Sequence, residues 1–179
     1  MEHQHQHGGH DCHCGHDHSH EHHTDKYREM VAASSAPADD NTVLEAVEKI
    51  IAGHKAENDN ADVWRFLLST IDLTTLNATD SSRSVTRFVE RVNDFEDEHP
   101  DLPSVAAICV YPNFAQVVRS TLDVSDVNVA CVAGGFPSSQ TFLEVKVAET
   151  ALAVADGADE IDIVMNLGDF LDGDWESVT

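Results

Sequence analysis

The chain has 179 residues, enough for one well-buried domain, and a formal net charge of −23 from 33 acidic and 10 basic side chains. This excess of negative charge repels phosphates, so it argues against nucleic acid or an anionic membrane as a partner. Small molecules and other proteins remain, including further copies of the same chain in a homo-oligomer.

The cysteines indicate a reducing compartment. Cys12 and Cys14 lie in a polar segment, whereas Cys109 and Cys131 lie in apolar runs, which is not the pattern of a disulfide framework. The N-terminus has no apolar segment that could act as a signal peptide, and the longest apolar run, residues 105–111, is too short to span a bilayer. We therefore expect a cytoplasmic protein.

Residues 1–40 are predicted to be a disordered leader and linker, followed by a folded domain over residues 41–179. Residues 1–23 hold ten of the twelve histidines and no periodic apolar residues, so they cannot form a core. Residues 33–37, Ala-Ser-Ser-Ala-Pro, have the composition of a linker.

The leader is rich in metal ligands. Imidazole and thiolate groups suit Zn²⁺, Ni²⁺ and Cu²⁺, but dense His-x-His repeats in a flexible chain enforce no geometry. Adventitious binding and a dedicated metal-binding function therefore both remain open. The candidate ligands are His3, His5, His7, His10, Cys12, His13, Cys14, His16, His18, His20, His22 and His23.

The first predicted element is a helix that begins with a capping box at Thr42 and Glu45 and is expected to stop at Gly53. A second short helix is predicted over residues 62–68. We expect both helices to plug or pad the fold that follows.

Four strand-like runs come next, at residues 70–76, 105–111, 127–133 and 160–166, and amphipathic helix patterns follow them. The first helix pattern places Val85, Phe88, Val89, Val92 and Phe95 on one face and a solvated file of Arg83, Arg87, Glu90 and Arg91 on the other. Further helices are predicted over residues 113–122 and 139–156. The last has Phe142, Val145, Ala148, Leu152 and Ala155 facing inward and ends at Gly157.

Alternating strands and helices predict a parallel sheet, either doubly wound or closed into a (β/α)₈ barrel, and the pattern alone does not decide between them. The phosphate-binding G-x-G-x-x-G is missing after the first strand, which weighs against a nucleotide-binding fold. A complete barrel takes about 250 residues and only about 110 follow Thr70, so we expect about the first four β/α units.

Strand parity predicts where polar groups point. Ile161, Ile163 and Met165 should face the helices, which leaves Asp162, Val164 and Asn166 on the interior face. In the first strand Asp72, Thr74 and Leu76 share a face by the same rule. A buried carboxylate is costly unless it is paired, so structural pairing and a reaction centre are both open interpretations.

Four segments resemble successive motifs of deoxyribose-phosphate aldolase: residues 72–77 (DLTTLN), 106–112 (AAICVYP), 135–137 (GFP) and 157–166 (GADEIDIVMN). The resemblance covers residues 71–166. It implies a TIM barrel that reversibly cleaves 2-deoxy-D-ribose 5-phosphate, a phosphorylated sugar, into acetaldehyde and glyceraldehyde 3-phosphate through a Schiff base. It also implies that no metal or organic cofactor is required.

The resemblance assigns roles to individual residues. A lysine forms the imine in that family, and the proton-relaying aspartate corresponds to Asp162. Asp72, Thr74, Asn77 and Cys109 match positions that line the pocket or hold the catalytic network. Structural alternatives stay open: Thr74 capping a strand end, Asn77 beginning a turn and Cys109 filling space.

The chain has four lysines, Lys26, Lys49, Lys55 and Lys146, and none lies in a predicted strand. Each is expected to be solvated and protonated, hence a poor nucleophile. We therefore expect a partial aldolase that is inactive alone and self-associates through unpaired strand edges. The competing hypothesis is a metal-binding protein with a relic barrel fragment. Other Schiff-base aldolases and unrelated barrel lyases would share the strand and helix period without all four motifs.

Overall fold

A computed structural model of the chain describes Ala33 and residues 39–178. The predicted disorder of residues 1–32 and 34–38 and all candidate metal ligands of the leader lie outside the described residues. The helices are α1 (Asp40–Asn58), α2 (Ala61–Leu68), α3 (Ser82–Glu98), α4 (Ala115–Thr121), α5 (Leu143–Ala155), α6 (Leu167–Asp172) and α7 (Trp175–Val178). The strands are β1 (Asp72–Thr74), β2 (Ala107–Val110), β3 (Asn128–Ala133) and β4 (Glu160–Ile163), and a single 3₁₀ turn, Pro112–Phe114, precedes α4.

Helix α1 begins and ends differently from its prediction. The Asp39 carboxylate caps it by accepting the N–H groups of Asn41 and Thr42 at 3.0 and 3.2 Å, so the predicted capping box at Thr42 is wrong. The helix also continues through Gly53 to Asn58. A glycine costs a helix only about 1 kcal/mol relative to alanine, and good helix formers follow it, so it does not break the helix here.

The two N-terminal helices contribute little to the core. Helix α1 buries none of its residues, and its apolar side chains Val43, Leu44, Val47, Ile50 and Ile51 are all exposed. Helix α2 reaches the rest of the fold through Leu68, which lines a small apolar cavity with Leu73 and Phe88. The expectation that α1 plugs or pads the fold is therefore wrong for the described residues.

The strands form one parallel sheet in the order β1-β2-β3-β4, as the alternation of elements predicts. Each strand is shorter than its apolar run, because only part of each run pairs with a neighbouring strand. Ile161 packs against the core as expected, but Ile163 and Met165 are exposed, since no described helix covers the end of β4.

Helices α3, α4 and α5 pack on the same face of the sheet, around its buried apolar side chains. A doubly wound sheet carries helices on both faces, so within the described residues this arrangement favours the other alternative, successive units of a barrel. The core residues are Val85, Val89, Val92, Val118 and Ala153 from the helices and Ile108, Val110, Val129 and Cys131 from the strands.

Helix α3 confirms its predicted amphipathic pattern. Val85, Val89 and Val92 are buried, while Arg83 and Arg87 are exposed on the outer side. A capping box between Ser81 and Ser84 begins the helix.

Helix α5 is rotated relative to its prediction and begins at Leu143 instead of residue 139. Phe142 and Leu152, which were expected to face inward, are 77% and 66% exposed, and Val145 is exposed as well. The buried residue is Ala153, because the helix turns its polar face towards the segment after β3. The predicted stop is confirmed: Gly157 has a φ of 105° just beyond the helix.

A polar network ties the helices to the amino ends of the strands. The Arg119 guanidinium donates to the Gly157 carbonyl at 2.8 Å and to the Asp159 carboxylate, which also accepts the Val129 N–H at 2.9 Å. Burial raises the pKa of Asp159, but the hydrogen bonds from Val129 and Arg119 outweigh it, so the pKa lies below its usual 3.8.

Candidate active site

The face of the sheet opposite the helices carries most of the predicted site residues. Strand register aligns Thr74 with Cys109 and Cys109 with Ala130, and it aligns Val132 with Asp162. Aligned residues of parallel strands point to the same side. The residues on this side of the strands are Asp72, Thr74, Ala107, Cys109, Asn128, Ala130, Val132, Glu160 and Asp162, and we call this side the open face.

Small buried side chains form the floor of the open face. Ala107, Cys109, Ala130 and Val132 make a cluster separate from the helix-packed core. Leu76, Tyr111 and Phe136 pack against this cluster, and the Tyr111 and Phe136 rings are 6.1 Å apart. These three residues follow the carboxyl ends of their strands, the end at which enzymes of this architecture gather functional groups.

Cys109 links the predicted site residues electrostatically. Burial raises the pKa of its thiol, and the negative charge of Asp162 raises it further, while a hydrogen bond with the Thr74 hydroxyl acts in the opposite direction. Asp72 and Glu160 add smaller effects of the same sign as Asp162. The fold therefore brings the Thr74, Cys109 and Asp162 side chains into one electrostatic neighbourhood, with a thiol that stays protonated.

The two aspartates lie at opposite edges of the sheet. Asp72 is on β1 and Asp162 on β4, so three strand spacings, about 14 Å, separate their strands. Both are exposed in the described structure. The predicted parity is confirmed, whereas the burial cost invoked for these carboxylates does not apply to them here.

Thr74 and Asn77 both have local structural contacts. The Thr74 hydroxyl donates to the Asp72 carbonyl at 2.8 Å, and the Asn77 amide donates to the Thr75 hydroxyl at 3.1 Å in the turn after β1. These contacts fit the structural alternatives, in which Thr74 caps a strand end and Asn77 begins a turn. A role of either residue in the substrate pocket or the catalytic network stays a proposal.

Thr75 and Asp80 organise the same turn and were not predicted as site residues. The Asp80 carboxylate accepts the Thr75 hydroxyl at 2.8 Å and the Asn77 N–H at 3.0 Å. The Thr75 hydrogen bond in particular lowers the pKa of Asp80. The Asn-x-x-Asp spacing of residues 77–80 was the available signal, because such side chains commonly bind nearby backbone in turns.

Lys146 is not the solvated amine that its position on a helix suggested. It is half-buried, and its Nζ donates to the Ser139 hydroxyl at 2.7 Å. It also lines a cavity of about 830 Å³ between α5 and the end of β4, together with Val147, Met165 and Asn166. Lys49 and Lys55 are exposed on α1, as predicted.

Within residues 39–178, no group of three or more His, Cys, Asp or Glu side chains is arranged to hold a metal ion. The candidate ligands of the leader fall outside that range. None of the helices in the described part of the chain is long and apolar enough to cross a membrane.

Sequence comparison relates most of the chain to one enzyme family. A human deoxyribose-phosphate aldolase is 35% identical in an alignment 147 residues long, which covers 76% of this chain and 46% of the relative. A Caenorhabditis elegans protein that is provisionally named as the same enzyme is 38% identical in an alignment 143 residues long, which covers 78% of this chain and 46% of the relative. No family model matches the chain.

Solved structures agree with this relationship. An aldolase named QR15 superposes with a TM-score of 0.53 at 32% identity, over 62% of this chain and 45% of that one. A Coccidioides immitis structure, provisionally named as a deoxyribose-phosphate aldolase, has a TM-score of 0.57 at 23% identity over 75% of this chain and 53% of its own, and it supports the fold alone.

The sheet and its helices define an α/β protein built from successive β/α units. The matched part of the chain is homologous to deoxyribose-phosphate aldolases. The chain spans about half the length of the curated relatives that it matches.

Proposed function

We propose that the described part of this chain carries one portion of the active site of a deoxyribose-phosphate aldolase, with 2-deoxy-D-ribose 5-phosphate as the substrate. The observation that supports this most directly is the grouping of Thr74, Cys109 and Asp162 on the open face of the sheet. The similarity to curated aldolases over three quarters of the chain supports it independently.

The same proposal accounts for the fold. Sequential parallel strands with helices on one face have the geometry of four consecutive units of a (β/α)₈ barrel. Within the described residues, β1 and β4 each pair on one side only. In a closed barrel those free edges would pair with further strands, and the open face would become the packed interior.

The proposed reaction needs an amine, a carbonyl and a proton carrier. A lysine amine adds to the aldehyde of the open-chain sugar and loses water, which gives an iminium ion. A base removes the proton of the C3 hydroxyl, the C2–C3 bond breaks, and its electron pair moves to the iminium. Glyceraldehyde 3-phosphate leaves, and the enamine takes a proton at C2 before hydrolysis releases acetaldehyde.

Asp162 is the residue of this chain proposed to carry protons in that sequence. Its exposed carboxylate stands near the carboxyl end of β4, where a substrate above the floor cluster could reach it. The iminium nitrogen takes up the electrons released by bond cleavage, so the mechanism needs neither a metal nor an organic cofactor.

The imine-forming amine is proposed to come from outside residues 39–178. In the described strands there is no lysine, and the Lys146 amine is held by Ser139. Lys26 lies outside the described residues. Metal binding by the leader, the competing hypothesis, gains no support from the comparisons or from the described residues.

Imine trapping tests the proposal in two steps. This chain, treated with substrate and borohydride, should give no adduct on Lys146, and a robust adduct there would contradict the assignment. A longer protein that contains this chain together with a lysine-bearing second half should instead form an adduct on that lysine. Failure to cleave 2-deoxyribose 5-phosphate would then rule out the proposed activity.

Asp162→Asn in that longer protein tests the proton carrier. General acid–base catalysis typically contributes about 10²–10⁴-fold, so kcat should fall by at least about 100-fold while the imine can still be trapped. Asp172→Asn removes an exposed carboxylate from nearby α6 and is the matched control, with no expected change in kcat. Equal activity of the two variants would remove Asp162 from the mechanism.

A further inference from the structure

The loop that follows β3, residues 134–141, has a backbone that is costly to hold. Gly134 and Gly135 have φ values of 79° and 75°, and Ser139, which is fully buried, has a φ of 57°. A left-handed conformation is unfavourable for a residue that has a side chain. Such a conformation persists only where the surrounding structure fixes it.

Two polar side chains of α5 supply that fixation. Lys146 Nζ donates to the Ser139 hydroxyl at 2.7 Å, and the Glu149 carboxylate accepts the Gly135 N–H at 2.9 Å. Lys146 and Glu149 are three residues apart, so they lie on one face of the helix. Each bond has one charged partner, which makes it stronger than a bond between neutral groups.

The loop carries a side chain that covers the open face. Phe136 packs on the floor cluster that contains Cys109, with its ring against Tyr111. At its other end, Gln140 Nε2 donates to the Asn166 side chain at 3.3 Å, just beyond β4. The loop therefore bridges α5 and the end of β4 along the rim of the open face.

We propose that Lys146 and Glu149 are positioning residues, which anchor loop 134–141 so that Phe136 covers the floor of the open face beside Cys109. Naming that face a substrate site rests on the proposed function, whereas the anchoring itself does not. Lys146 thus shapes the site through the loop and does not contact the substrate.

Thiol labelling tests the anchoring, because the two described cysteines report on opposite faces of the sheet. Cys109 belongs to the floor cluster against which Phe136 packs, and Cys131 lies in the helix-packed core. The full chain, with Cys12→Ser and Cys14→Ser as the background, is exposed to iodoacetamide at pH 8. Mass spectrometry then gives the rate at each thiol.

Lys146→Met keeps the apolar stem but removes the donor, so loop opening should become more frequent. We expect Cys109 to be labelled about tenfold faster, which corresponds to ~1.4 kcal/mol, with no change at Cys131. Lys146→Arg retains a donor and should restore slow labelling. Lys49→Met, on exposed α1, is the matched control and should change neither rate.

Ser139→Ala should produce the same selective acceleration. Labelling of Cys109 in the double variant with Lys146→Met should be no faster than in either single variant, because both substitutions remove the same hydrogen bond. An unchanged rate at Cys109 would overturn the proposal. Equal acceleration of Cys109 and Cys131 would also overturn it, because it would report global loosening. The readout needs no catalysis, so its failure and that of the aldolase proposal are separable.

Discussion

Gly135 should not tolerate even a methyl side chain. Its φ of 75° costs an alanine about 1–2 kcal/mol. A Cβ built there would also stand 2.8 Å from Thr141 Cγ2, and overpacking of this kind costs about 1–3 kcal/mol. Gly135→Ala should therefore lower the free energy of unfolding by about 2–5 kcal/mol.

A second variant separates the two contributions. Thr141→Ser removes the clashing methyl group of an exposed residue and should by itself change stability by less than about 0.5 kcal/mol. In the double variant only the backbone cost remains, so the loss should shrink to about 1–2 kcal/mol. Gly53→Ala is the control: its Cβ meets nothing within 4 Å, and the substitution should strengthen helix α1 slightly.

Urea unfolding followed by circular dichroism at 222 nm measures these differences. All variants are compared at one protein concentration, because association makes apparent stability depend on concentration. A loss below about 0.5 kcal/mol for Gly135→Ala would show that the loop adapts freely, contrary to the expected range. If adding Thr141→Ser to Gly135→Ala recovers no stability, the clash between the new Cβ and Thr141 Cγ2 does not contribute to the loss.

Three further predictions concern charge, the thiols and association. Because the pKa of Asp159 is lowered in the folded state, its pairing with Arg119 stabilises the fold above pH 3.8 and is lost as the pH falls further. The free energies of unfolding of the parent and Asp159→Asn, measured in urea, should therefore differ by at most about 1 kcal/mol at pH 7, and the difference should shrink as the pH falls below 3.8. Asp162→Asn should lower the pKa of Cys109 and speed its alkylation at pH 8. Cys131, whose pKa burial raises to about 11, should respond little. If the pH profile of Cys109 labelling is unchanged, Asp162 and Cys109 are not neighbours. Residues 39–178 should self-associate in light scattering, because apolar side chains on α1, α5 and β4 are exposed, and a monomer at millimolar concentration would contradict this.

The sequence predicts local features of this protein well. Helix α3 shows its core face because a period of 3.6 residues is a property of the helix itself. The parity of the strands places Asp72, Thr74 and Asp162 on the same side for an equally local reason, the period of two. The absence of a lysine from the strands needs no structure at all.

Other features depended on how the elements pack. Periodicity does not determine which side of a helix faces the sheet, so the sequence places Phe142 and Leu152 on the wrong side of α5. Contacts with the loop after β3 set that rotation and converted Lys146 from a solvated amine into an anchor. The side of the sheet on which each helix packs is likewise a long-range outcome. Sequence by itself therefore determined which residues share a face, and tertiary structure decided which faces are covered, because burial depends on partners that lie far apart along the chain.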